Sequence, residues 1–125
     1  MGETVMTKKK ILLVDDEKAI LKIVGIKLRI SGYDVVTASD GGEALDMVGS
    51  AQPDLMLLDI IMPGMDGFDV LERLRPASQL PVIVLSARPE NGPKAVSMGA
   101  NTFVPKPFDV DQLLARIQTL LDNQA

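Results

Sequence analysis

Five polar side chains stand where apolar runs end. Ile11-Leu12-Leu13-Val14 runs into Asp15 and Asp16, Leu55-Met56-Leu57-Leu58 into Asp59, Val82-Ile83-Val84-Leu85 into Ser86, and Thr102-Phe103-Val104-Pro105 into Lys106. A charge at the end of a buried run is unfavourable unless a partner awaits it. Three carboxylates in contact repel and do not all stay ionised without a cation. A hard divalent ion with oxygen ligands meets that need, and Mg²⁺ suits because it keeps waters and open positions for phosphate oxygens. Formally, two charges from the metal and one from Lys106 offset the three acids. Such a site attracts a phosphoryl group, with Lys106 and the Ser86 hydroxyl holding two of its oxygens and the metal a third. Asp59, the central acid, can then attack phosphorus as a carboxylate nucleophile and become an acyl phosphate.

Each residue alone has a plainer role. Asp16 can cap the first helix, Asp15 and Asp59 can be solvated strand ends, Ser86 can begin a turn, and Lys106 can be a surface lysine before a proline. Their joint placement at four strand ends favours the chemical reading. It requires elements that bring the ends together. Short apolar runs alternate with amphipathic helical patterns, the mark of βαβ units. The runs predict strands over residues 10–14, 34–38, 54–58, 81–85 and 102–105; four of the five are apolar at consecutive positions, as in strands covered on both faces. In a parallel sheet of order 2-1-3-4-5 with right-handed crossovers, strands one and three are neighbours at the point where strand order reverses, and the ligand crevice opens there. Asp15, Asp16 and Asp59 then share a pocket, with Ser86 and Lys106 on its rim.

The helices between the strands have readable ends. A pattern from Glu17 through Ile20, Leu21, Val24 and Leu28 stops at Ser31-Gly32, where glycine can supply a left-handed cap. Asp40-Gly41-Gly42-Glu43 reads as a capping box. Asp66 caps a third helix with Phe68, Leu71 and Leu74 inward, and Pro76 ends it. The last helix begins at Asp109, with Val110, Leu113, Leu114, Ile117, Leu120 and Leu121 on one face. Segment 88–98 carries Pro89, Gly92 and Pro93 and predicts a short, irregular or mobile helix of a turn or so starting near Pro93.

The 125 residues, 46% apolar and 24% charged, fit one globular domain. A net charge of −4 argues against a basic nucleic-acid face, so nucleic-acid binding by this chain is not expected. The run Lys8, Lys9, Lys10 reads as a solvated lead-in to the first strand. The chain has no Cys, which leaves no thiolate nucleophile or zinc–thiolate site, and no His, which excludes Ser-His triads, His-ligated metals and a phosphohistidine of its own. No apolar run is of signal or membrane length, and the start Met-Gly-Glu-Thr-Val-Met lacks a myristoylation hydroxyl. The expectation is a cytoplasmic protein without membrane insertion. The seven Met residues read as core filler, and Gly64 and Gly67 make no dinucleotide or P-loop fingerprint.

At these residues the sequence resembles the receiver domain of two-component response regulators, of the CheY-like kind. The resemblance rests on Val14-Asp15-Asp16-Glu17, Leu58-Asp59, Met62-Pro63-Gly64-Met65-Asp66-Gly67, Leu85-Ser86-Ala87, Met98-Gly99-Ala100 and Lys106-Pro107-Phe108. It spans residues 8–123, leaving 1–7 as an expected flexible N-terminal lead. It implies a flavodoxin-like fold, a three-layer α/β/α doubly wound sheet, and a phosphoryl acceptor in a phosphorelay. Asp59 matches the phosphorylated aspartate, Asp15 and Asp16 the metal-binding pair, and the Ile61 carbonyl a backbone Mg²⁺ ligand. Ser86 matches the hydroxyl that turns toward the phosphoryl group, Phe103 the aromatic that changes rotamer with it, and Lys106 the salt-bridging lysine. The Lys106-Pro107 bond is expected to be cis. Ile61 and Arg88 occupy the two positions that tune self-hydrolysis.

The implied partners are a sensor histidine kinase or histidine phosphotransfer protein and a downstream protein target. The target would be read by the surface of the fourth helix, fifth strand and fifth helix, in a monomer or a weak phosphorylation-dependent dimer. Segment 88–98 is a residue or two shorter than in many relatives, so that surface is expected to be remodelled. The fifth helix runs nearly to Ala125, the pattern of a stand-alone receiver or a fragment of a larger regulator. Three other functions compete. A Mg²⁺-dependent aspartyl phosphatase would need a second acid where Ile61 stands. An FMN binder would not place Asp15-Asp16 against a phosphate, and a pseudo-receiver acting only through protein contacts would not need the acidic site.

Overall fold

The computed structural model describes residues 8–123; the expected lead over 1–7 lies outside them. In chain order the elements are β1 Lys10–Val14, α1 Lys18–Ile30, β2 Asp34–Ala38, α2 Gly41–Ala51, β3 Leu55–Asp59, α3 Gly67–Leu74, β4 Val82–Ser86, α4 Asn91–Ser97, β5 Thr102–Pro105 and α5 Val110–Asp122. The strands form one parallel sheet of order β2-β1-β3-β4-β5. This is the flavodoxin-like three-layer fold expected.

Alternation along the strands splits the core into two layers. Leu12, Val14, Met56, Leu58, Val82 and Val84 pack with Ala44 of α2, Val70 and Leu71 of α3 and Ala95 of α4. Their neighbours Ile11, Leu13, Leu55, Leu57, Ile83 and Leu85 pack with Val24 and Leu28 of α1 and Leu113 and Ile117 of α5. Both faces of β1, β3 and β4 are covered, which explains why these strands are apolar without a break.

Several boundaries differ from the sequence reading, each for a local reason. Asp59 and Ser86 close β3 and β4 instead of following them, because the ladder continues past the apolar runs: the Ile60 amide donates to the Leu85 carbonyl at 3.2 Å and the Lys106 amide to the Ser86 carbonyl at 2.8 Å. Asp40 caps α2 by accepting from the Glu43 amide, but the Glu43 carboxylate takes the Ser39 hydroxyl, so only half of the expected capping box forms there. The complete box is at Asp66, whose partner is Asp69. Helix α4 starts at Asn91, two residues before Pro93, and is regular over seven residues. A proline in the first turn forfeits an amide that has no intrahelical partner in any case.

Candidate functional site

At the carboxyl ends of β1, β3, β4 and β5 opens a cavity of about 250 Å³ lined by Asp16, Glu17, Asp59, Ile61, Ala87 and Lys106. Strand β1 delivers Asp15, whose amide still bonds to the Ala38 carbonyl at 3.1 Å. Asp15 is fully buried, and its Oδ1 accepts the Glu17 amide at 2.9 Å. That bond turns the chain into α1, which has no side-chain cap of its own. Asp16 therefore does not cap the helix; it stays exposed at the cavity.

Asp59 is held in β3, only 4% exposed. The loop after it folds back tightly: the Gly67 amide donates to the Ile60 carbonyl at 2.9 Å, and a Cβ on Gly67 would stand 2.6 Å from the Asp59 carbonyl oxygen. Only glycine lets α3 start this close to the strand end that carries the acid. Lys106 follows β5 and closes the site from the opposite side. Its Nζ lies 2.9 Å from Asp15 Oδ2 and 3.3 Å from Asp59 Oδ1. The Lys106-Pro107 peptide is cis.

Carboxylate oxygens of Asp15, Asp16 and Asp59 lie within 4.8 Å of one another. Burial, then the charge of Asp15, pushes the Asp59 carboxyl up to about 6 despite the opposing Lys106. Burial works to lower the Lys106 ammonium, yet its hydrogen bond to Asp15 and the charges of Asp59 and Asp15 outweigh that and raise it. Lys106 thus remains a cation beside three carboxyl groups.

Ser86 lies elsewhere than the rim. It is 1% exposed and absent from the acidic cavity wall; its Oγ accepts the Arg88 amide at 3.1 Å and the Asn91 side-chain amide at 3.0 Å. Ile61 is exposed at the acidic cavity, whereas Arg88 borders a neighbouring one with Ile60, Met62, Asp66, Phe68 and Asn91. Phe103 is half-buried, its ring against Gly92 at the start of α4. Asn91 was not singled out by the sequence: its role depends on where α4 begins, which prolines on both sides of it obscured.

Residues 11–118 match the response regulator receiver domain family. The chain belongs to that family. It is 44% identical over 117 residues to a "Probable transcriptional regulator ycf27" of Guillardia theta, an alignment covering 92% of this chain and 46% of that protein. The equivalent from Cyanophora paradoxa is 43% identical, with 93% and 49% covered, so the chain spans about half the length of these relatives. Among solved structures it superposes on the receiver domain of the Francisella response regulator 1452 with a TM-score of 0.89 and 33% identity, covering 94% of this chain and 100% of that one. It superposes on the Vibrio cholerae chemotaxis protein CheY4 with a TM-score of 0.84 and 35% identity, covering 90% and 98%. The receiver domain is the phosphoacceptor module of two-component signalling, a signalling domain in kind. No helix among its described residues is long and apolar enough to cross a membrane.

Proposed function

We propose that this receiver domain accepts a phosphoryl group on Asp59 from a partner's phosphohistidine in a Mg²⁺-dependent reaction. The observation that carries the reading is the pairing of Lys106 with both Asp15 and Asp59 inside a three-acid cluster. Three negative charges less the one positive charge of Lys106 leave two, the charge of the ion proposed. The donor set is all oxygen, which suits a hard cation. Asp15, Asp16 and Asp59 would hold it, with the Ile61 carbonyl as a fourth, backbone ligand. When bound, the ion supplies charge neutralisation for the acids and for the incoming phosphoryl oxygens.

An Asp59 oxygen forms the new bond to phosphorus as the donor's phosphorus–nitrogen bond breaks. The electron pair of that bond stays on the imidazole, which then takes a proton. Lys106, kept cationic by its acids, stands ready for a phosphoryl oxygen, and Ala87 leaves the cavity open beside it. The reaction consumes the acceptor, so the domain is a phosphoacceptor and no turnover enzyme in its own right. An exposed aliphatic stripe on α1, Ile23, Ile26 and Ile30, leads to an apolar cavity that Ile23 shares with Lys106 and Pro107. Such a surface supports a macromolecular phosphodonor, a histidine kinase or phosphotransfer protein. Ser86 and Phe103 would relay the phosphorylated state to the α4, β5 and α5 surface and so to a downstream protein.

Incubation with Mg²⁺ and a small phosphodonor, followed by intact mass, tests the acceptor. One phosphoryl group is expected on the wild-type chain, none on Asp59→Asn, and none in chelator. Equal labelling of Asp59→Asn would move the acceptor elsewhere.

A further inference from the structure

We infer that the exposed face of α1, together with the start of α5, is a surface on which a second copy of this chain docks, two-fold related, through an isoleucine stripe with cations along one side and acids along the other. The inference does not rest on the Asp59 assignment.

The large aliphatic side chains exposed among the described residues are Ile23, Ile26, Ile30, Ile61 and Val96, and the first three share one helix face. Ile23, Ile26 and Ile30 are 63, 47 and 77% exposed, at the three- and four-residue spacing that makes a stripe. Helix α1 already has a buried face, with Val24 and Leu28 in the core. The stripe is therefore surplus to the fold. Surface aliphatics scattered singly are ordinary, but a row of them along a cavity of about 430 Å³ is a patch. That cavity extends from the stripe and Lys27 to Asp109, Val110 and Asp111 at the start of α5.

The charges around the stripe choose the occupant. Helix α1 carries Lys18, Lys22, Lys27 and Arg29 and no acid, in a chain whose net charge is −4. Helical spacing aligns Lys18, Lys22 and Arg29 along one side of the stripe, and the Arg29 guanidinium donates to the Val35 carbonyl of β2, which marks that side as the one away from α5. On the other side α5 supplies Asp109 and Asp111, both exposed. Among the described residues the only ion pairs are those of Lys106, so neither row is neutralised within that part of the chain. A polyanion or an anionic lipid surface suits the cationic row and is repelled by the acidic one. A second copy suits both. About a two-fold axis running along the stripe, the cationic row of each copy meets the acidic row of its partner, and the isoleucines meet at the centre. A stripe of three side chains is small beside a standard interface, so the pair is weak and depends on concentration. Ile23 also borders the apolar cavity that it shares with Lys106 and Pro107, so pairing would cover part of the approach read above as the phosphodonor's.

The test is sedimentation equilibrium of the full chain, without phosphodonor, from about 10 μM to about 1 mM, the range of weak complexes. The mass is expected to rise from one chain toward two. Ile26→Glu sets a charge at the centre of the stripe and is expected to stay monomeric, whereas Val96→Glu, on α4, is expected to pair as the wild type does. Lys22→Glu and Asp111→Lys each oppose like charges at two symmetry-related contacts and are expected to weaken pairing about tenfold. The double variant restores opposite charges in reverse and is expected to pair within about twofold of the wild type. All four positions are exposed, so circular dichroism is expected to match the wild type throughout. A chain monomeric at every concentration, masses that climb beyond two, pairing that survives Ile26→Glu or is lost in Val96→Glu, or a double variant no better than its parents each overturns the inference.

Discussion

The carboxyl edge of the sheet has two sides, and they are satisfied in opposite ways. On the β1 and β3 side, three acids face one lysine, and the Asp59 carboxyl is pushed up to about 6. On the β4 side, the Ser86 hydroxyl has its partners within the chain, and α4 is closed onto β4 and Phe103. The acidic side gathers three carboxyl groups around one ammonium, so its energy depends on what the solution supplies, a proton or a cation. The hydroxyl side holds neutral hydrogen bonds, accepted by Ser86 from Arg88 and Asn91, so its energy does not depend on an ion. On the proposed function, the first side would receive the ion and the phosphoryl group, and the second would respond to them.

The comparison is broken most directly by removing one partner on each side. Lys106→Met strands the fully buried Asp15 beside Asp59. Unpairing a buried charge costs several kcal/mol, but Asp59 can protonate and cap the loss. About 2–3 kcal/mol is expected at pH 7 in chelator by denaturant unfolding, with Mg²⁺ restoring most of it. Phosphorylation is expected to fall by roughly a hundredfold, as for loss of a donor to a developing charge. Ser86→Ala leaves two donors unpaired and should cost about 1–2 kcal/mol, independent of Mg²⁺. If Mg²⁺ rescues both variants equally, or neither, the two sides are not distinct.

Much of the charged side was legible in the sequence, and the neutral side was not. Asp15, Asp59 and Lys106 stand directly after runs whose continuity betrays a sheet covered on both faces, so strand order alone brings them together. Ser86 was found for the same reason but misplaced at the rim. Its orientation is fixed by Asn91, and an asparagine between Pro89 and Pro93 carries no periodic signal of a helix start. The half-formed capping box at Asp40 failed similarly: the spacing is right, but Ser39 competes for the Glu43 carboxylate. Strand ends follow from hydrophobic pattern, whereas side-chain hydrogen bonds over five residues depend on loop geometry.

The charged side can be sharpened by titration. Asp59 moves from 3.8 to about 6 on folding. Between those values the folded chain binds a proton that the unfolded chain does not, so the stability contributed at this residue falls as pH rises from about 4 to about 6 and stays low above that. The full shift would correspond to about 3 kcal/mol, and solvent at the cavity reduces it to roughly 1–2 kcal/mol. In chelator, Asp59→Asn is therefore expected to match the wild type below about pH 4 and to exceed it by that amount above about pH 6. A difference that does not vary with pH would show that the acids are already balanced without an ion.

The smallest effect concerns how long the response lasts. Hydrolysis of the acyl phosphate needs a water aimed at phosphorus, with the Asp59 carboxylate as the leaving group. Ile61 is 48% exposed at the wall of the acidic cavity, and its side chain offers a water no hydrogen bond. Ile61→Asn supplies one at the same wall. A single hydrogen bond is worth about 1 kcal/mol, so decay of the phosphorylated chain, followed after removal of the phosphodonor, is expected to speed up about fivefold. Arg88 borders the neighbouring cavity instead, and Arg88→Ala is expected to change decay less than twofold, about 0.4 kcal/mol at most. Equal decay of wild type and Ile61→Asn would mean that water reaches phosphorus from a direction Ile61 does not command, which would shift control of lifetime from the charged side of the edge to the side of Ser86 and Asn91.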